Sequence, residues 1–136
     1  MRLLFIILSL IFSNKDCSNN PQELINAIEY SASTRGSSVQ IVTTPDQLKY
    51  NDDIIELNCK QWSLLIKLVE NIELKNINLL ETPSQDRFRD AAMTAELKIK
   101  TSENTFTSSQ FDHGNPPEEL KTLITQIFDL AGIDKN

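Results

Sequence analysis

The residues best equipped for chemistry fall in two short clusters. Asp112-His113-Gly114 holds the single histidine of the chain. Histidine titrates near neutral pH, so an imidazole oriented by a carboxylate could serve as a general base. Asp112 or Asp90 would be the orienting group for His113. The structural alternative is that Asp112 or His113 satisfies backbone groups where a strand hands over to a capped helix. Adjacent residues on a strand point to opposite faces, which already weakens an Asp112–His113 couple.

The second cluster is Asp86-Arg87-Phe88-Arg89-Asp90, four charges around one aromatic ring. Arginine forks onto carboxylate or phosphate better than any other side chain. Arg87 and Arg89 could bind a small anion or an acidic group of a partner, or they could pin a long loop by internal ion pairs. Arg35, in a turn nearer the N-terminus, could join either arrangement. Arg35, Asp86, Arg87, Arg89, Asp90 and His113 are therefore the candidate binding residues. The Arg35 turn, the Asp86–Asp90 loop and the Asp112-His113-Gly114 corner form one polar site if they converge.

Other chemistries find little support. One histidine and two separated cysteines do not make a zinc site, so no metal is expected. The three glycines, Gly36, Gly114 and Gly132, cannot build a phosphate-cradling loop. No serine sits in a glycine-flanked elbow, and no cofactor is expected.

Charge narrows the partners. The 136 residues carry 13 Lys+Arg against 19 Asp+Glu, a net charge of −6. Nucleic acid and anionic lipid both need a basic face, so neither is expected as a direct partner. An unidentified protein or a small ligand is expected instead.

The N-terminus reads as an export leader over residues 1–13. Arg2 precedes the apolar run Leu3–Phe12, about half the ~20 residues that a membrane-spanning helix needs. Cleavage after Ser13 would release a chain starting at Asn14, and it could extend to residue 16. Removing residues 1–13 takes away Arg2 alone and leaves 12 basic against 19 acidic residues, a net charge of −7. Cys17-Ser18-Asn19-Asn20 offers lipidation at Cys17 as the competing outcome, although Asp16 stands where small residues are preferred. Residues 14–23 read as a polar linker or tether, and 24–136 as one domain. The expected location is the periplasm or a lipid anchor at the cell envelope, with no other membrane contact. The two cysteines could pair, but Cys17 in the tether and Cys59 at a helix start incline the reading toward an unpaired Cys59.

The elements that must position these groups follow from periodicity. Ile28, Tyr30 and Ala32 alternate with Glu29, Ser31 and Ser33, and Thr34-Arg35-Gly36-Ser37 turns the chain. Val39, Ile41 and Thr43 form the return strand. Gln47–Tyr50 reads as a third short strand, and Asp53–Leu57 as a fourth edge or the lead into a helix. Asn58 caps a helix whose buried stripe is Trp62, Leu65, Ile66, Val69 and Ile72. Leu74, Ile77, Leu79 and Leu80 suggest a short strand or packed loop. Met93–Thr101 alternates cleanly, and Thr105–Phe111 is its hairpin partner. Asn115 is expected to cap a last helix, with Pro116 at its first position, Leu120, Leu123, Ile124, Ile127 and Leu130 as its stripe, and Gly132 as its stop. The fold class is α+β: an antiparallel sheet of about four to six strands with two amphipathic helices on one face.

Four stretches together carry a resemblance: Ile28–Gly36, the Trp62/Leu65 helix, Pro83–Ala92 and Phe111–Pro117. They resemble a group of small exported proteins of Gram-negative envelopes that have no assigned activity, over about Ile28–Leu130. The resemblance implies an envelope protein, and it carries no catalytic residue or substrate across. The functional expectation is a non-enzymatic exported envelope domain that binds a partner or ligand. The alternatives are a small hydrolase-like enzyme using His113 as base, and a structural envelope component without a discrete site.

Overall fold

The structure, a computed structural model, describes residues 24–133. The expected leader, its cleavage point, the linker and Cys17 with its lipidation lie outside the described residues.

The strands are β1 (Ile25–Thr34), β2 (Ser37–Thr43), β3 (Gln47–Tyr50), β4 (Asp53–Glu56), β5 (Thr94–Thr101), β6 (Thr105–Thr107) and β7 (Phe111–Asp112). They form one antiparallel seven-stranded sheet in the order β4-β3-β2-β1-β5-β6, with β7 also pairing β5. Two helices, α1 (Cys59–Glu70) and α2 (Glu118–Ala131), complete the α+β fold.

The strand alternation explains where the core lies. Tyr30 faces Ile41 on β2 and Leu97 on β5, while Ile28 faces Ile99 and Ala32 faces Ala95. All of these residues are at most 2% exposed. Trp62, Leu65 and Val69 of α1 and Leu120, Leu123, Ile124, Ile127 and Phe128 of α2 close over that face. The other face is polar, and Lys100 there bonds Glu29 across the β1–β5 pair at 2.7 Å.

The α1 start is as its sequence implies. The Asn58 side chain accepts from the Gln61 N–H, and the Gln61 side chain accepts from the Asn58 N–H, each at 2.9 Å. This reciprocal box satisfies two amides that the helix itself leaves open.

Four expectations need correction. Residues 74–79 are a 3-10 helix, neither strand nor irregular loop. Leu74, Ile77 and Leu80 recur every three residues, the period of that helix, and point inward together. The return strand of β5 is broken in two at Ser108. Its hydroxyl takes the Leu97 N–H at 2.9 Å, and Ser109 turns to bond Ile77 O and Leu80 O. The last helix starts two residues later than expected, because Pro117 keeps Pro116 out of helical backbone and is itself extended at ψ 144°. Finally, Cys59 is engaged in a disulfide, not a free thiol. It is half-buried on the wall of an open cleft.

Candidate functional site

β7 is only two residues long, yet it places the buried carboxylate among the described residues. Asp112 pairs with Thr94 of β5, which in turn pairs with Ser33 of β1. The Asp112 side chain is 2% exposed and points at the segment Ser84–Asp90, whose second half is the 3-10 turn Asp86–Arg89.

That carboxylate accepts four hydrogen bonds. The donors are the Ser84 hydroxyl, the Asp86 N–H at 2.7 Å, the Arg87 N–H at 3.0 Å and the Arg87 guanidinium at 3.1 Å. The first amides of a helical turn have no partner within it. Gln85 precedes the turn without a side-chain cap, so Asp112 caps it from another strand. Arg87 also donates to Ser84 O at 2.9 Å, and its side chain is 8% exposed. The Arg87 guanidinium lies 4.4 Å from the centre of the Phe88 ring, and its Nε is buried without a partner. Asn115 donates to Ser84 Oγ at 2.9 Å, which ties the entry of α2 to the same cluster.

Electrostatics agree with the geometry. Burial alone would push the Asp112 pKa up. The Ser84 hydroxyl, the Arg87 and Asp86 amides and the Arg87 guanidinium outweigh it and hold the group well below the usual carboxylate range. Asp112 is therefore an anion at neutral pH, paired with the Arg87 guanidinium.

His113 faces away from this cluster. Its N–H bonds Met93 O at 2.9 Å, and its Nδ1 lies 2.7 Å from the Tyr30 hydroxyl. Tyr30 donates when the histidine proton sits on Nε2, and the other tautomer reverses the bond. Phe128 completes the packing, edge-on to Tyr30 at 5.0 Å and 5.9 Å from the His113 ring. Burial pushes the Tyr30 pKa up and lowers that of His113, so both stay neutral near pH 7. Neither Asp112 nor Asp90 orients His113: its side-chain partner is Tyr30, because consecutive strand residues face opposite ways.

The remaining candidates are nearer the surface. Arg89 is 79% exposed and lies 3.7 Å from Asp86, itself 53% exposed. Asp90 closes the turn in left-handed backbone at φ 55°, with its N–H on Asp86 O. Arg35 is exposed in the β1–β2 turn, and Gly36 beside it takes φ 83°. The Ser33–Thr94–Asp112 row sets that turn at the same end of the sheet, but among the described residues Arg35 makes no ion pair with the cluster. The loop and the corner converge, and Arg35 makes no hydrogen bond or ion pair with them among the described residues.

Two contributors are absent from the candidates that residue type and spacing suggest. Tyr30 lies among apolar residues on the inward face of β1, and a buried tyrosine hydroxyl needs a partner; that was the signal. Ser84 carried no signal, since its role depends on an aspartate 28 residues away. Among the described residues, no group of acidic, histidine or cysteine side chains is arranged to hold a metal.

The chain is similar to one subunit of the ATP-dependent helicase/nuclease of Listeria monocytogenes serotype 4a (strain HCC23). The two are 28% identical over 117 residues, covering 79% of this chain and 9% of that protein. The same protein from serotype 4b (strain F2365) is 28% identical and that from serovar 1/2a (strain ATCC BAA-679 / EGD-e) 27% identical, with the same coverage. This chain thus spans about 9% of the length of the curated relatives it matches. No family model matches it, and no solved structure does. The similarity is to a segment of a Gram-positive helicase/nuclease protein, which overturns the resemblance to exported Gram-negative envelope proteins. The expectation of an exported envelope domain is overturned with it, and the hydrolase-like alternative, which rested on His113 oriented by Asp112 or Asp90, falls too.

Proposed function

We propose that this chain is an accessory, non-motor domain related to a segment of a helicase/nuclease protein, contributing contacts to a nucleic-acid-processing assembly. The observation that carries the relation is the 28% identity to the Listeria segment, and the bonding of Asp112 supports the non-catalytic part of the reading. The four hydrogen bonds of Asp112 all hold the Ser84–Asp90 segment in place, so the buried carboxylate serves the fold and not a reaction.

What that latch presents is a turn with Phe88 73% exposed and Arg89 beside it. A rigid turn loses little freedom on binding, and aromatic and arginine side chains contribute most at protein contacts. The turn, with Asp86 and Asp90 at its ends, is the contact with a neighbouring part of the assembly. The net charge of −6 favours protein over phosphate backbone as the surface met.

A chimera tests the reading. The full chain replaces the similar segment of the Listeria protein, and ATP-dependent unwinding and nuclease activity are measured. The expected result is retained activity that falls when Phe88→Ala is introduced, while the isolated chain stays folded and loses only the small stability of the Phe88–Arg87 contact. A graft that folds but leaves no activity, or one indifferent to Phe88→Ala and Arg89→Ala together, overturns the proposal.

A further inference from the structure

We infer that the outer edge of β4 is a docking strand for an extended, lysine- or arginine-rich segment of a partner protein. The inference stands apart from the helicase/nuclease reading.

β4 (Asp53–Glu56) ends the sheet and, among the described residues, pairs only with β3. The Leu57 N–H to Asp46 O bond at 2.9 Å sets the phase of that ladder. Asp46 and Leu57 lie on the same register as Tyr50–Asp53 and Leu48–Ile55, so these pairs bond each other. Ile54 and Glu56, between them, direct their N–H and C=O groups outward. An open edge of this kind is a template for one more strand.

Charge selects the occupant. Asp52, Asp53 and Glu56 are exposed along the edge and Asp46 lies at its end, and none is in an ion pair among the described residues. Lys49, opposite Ile54 on β3, is the nearest basic side chain in the register. Two copies meeting edge to edge would set like carboxylates against each other, which disfavours self-pairing. An incoming basic strand pairs them instead. Ile54, 61% exposed, supplies an apolar neighbour for an alternate residue of that strand. Where β4 ends, an open cleft of about 700 Å³ has Asp46 and Glu56 in its wall, with Lys60 as its basic member.

The test titrates the full chain with a synthetic eight-residue peptide alternating lysine and valine, read by amide NMR shifts and hydrogen exchange. The expected result is that the Ile54 and Glu56 amides shift and gain protection. Asp53→Lys with Glu56→Lys weakens binding at least tenfold, and N-methylation of alternate peptide amides abolishes it. Equal binding of a glutamate–valine peptide overturns the inference. Shifts confined to other surfaces, or no shift at millimolar peptide, do the same. So does a dimer by sedimentation with the β4 amides already protected, which would make a second copy the occupant.

Discussion

Removing the Asp112 carboxylate is the sharpest perturbation the structure offers. In Asp112→Ala the Ser84 hydroxyl and the Asp86 and Arg87 amides lose their acceptor, and the Arg87 guanidinium stays 8% exposed without its counter-charge. Breaking a buried pair from one side costs about 3–5 kcal/mol, because the remaining charge is uncompensated. That is a large share of the ~5–15 kcal/mol that holds a domain together. Asp112→Asn keeps the shape but sets an amide NH₂ against donors, so its cost is about 2–3 kcal/mol. The pH dependence provides a second readout. The folded pKa of Asp112 lies below the unfolded value of about 3.9. Its stabilisation is therefore complete above about pH 5 and is lost as pH falls through the unfolded and then the folded pKa. Urea unfolding of both variants from pH 7 down to pH 3 measures the two effects together. The Asn variant should lose less stability than wild type across the acid limb. A cost under about 1 kcal/mol for Asp112→Ala, with an unchanged acid limb, would refute the latch. In Asp112→Leu/Arg87→Met both charges go, and the double variant should be less destabilised than the two single costs combined.

Tyr30→Phe should cost about 1 kcal/mol in chemical denaturation, because the part-buried His113 Nδ1 loses its hydrogen-bond partner. His113 titrates below its unfolded value of about 6.5, so wild-type stability should fall as pH drops from 7 through that folded pKa. Asn58→Ala should cost about 1 kcal/mol in thermal unfolding by removing the α1 capping box. Leu97→Ala, at a fully buried position between β1 and the helices, should cost about 2–5 kcal/mol in chemical denaturation.

The chain itself determined the repeating parts of the fold. Two-residue alternation in β1, β2 and β5 and the helical stripes of α1 and α2 are local periods. A side chain's face follows from its neighbours in sequence, so these were legible. Gly36 and Gly132, at φ 83° and 71°, were legible for the same reason, since positive φ is a property of one residue. The α1 cap depended on two residues three apart. Expectations failed where a local signal competed with a distant one. Ser108 broke a strand by bonding Leu97.

The site belonged wholly to the second kind. The Arg87 and Asp112 residue types marked both as charges in need of partners, but sequence left open that each was the other's partner. Ser84 and Asp112 are 28 residues apart, and Tyr30 and His113 are 83 apart. Such pairs are set by sheet order, which lays β7 on β5 beside β1. No local period encodes that order. The sequence supplied the charged loop, the histidine corner and the strands beneath them. Only the tertiary structure decided that the corner holds the loop and that the histidine turns away to a tyrosine.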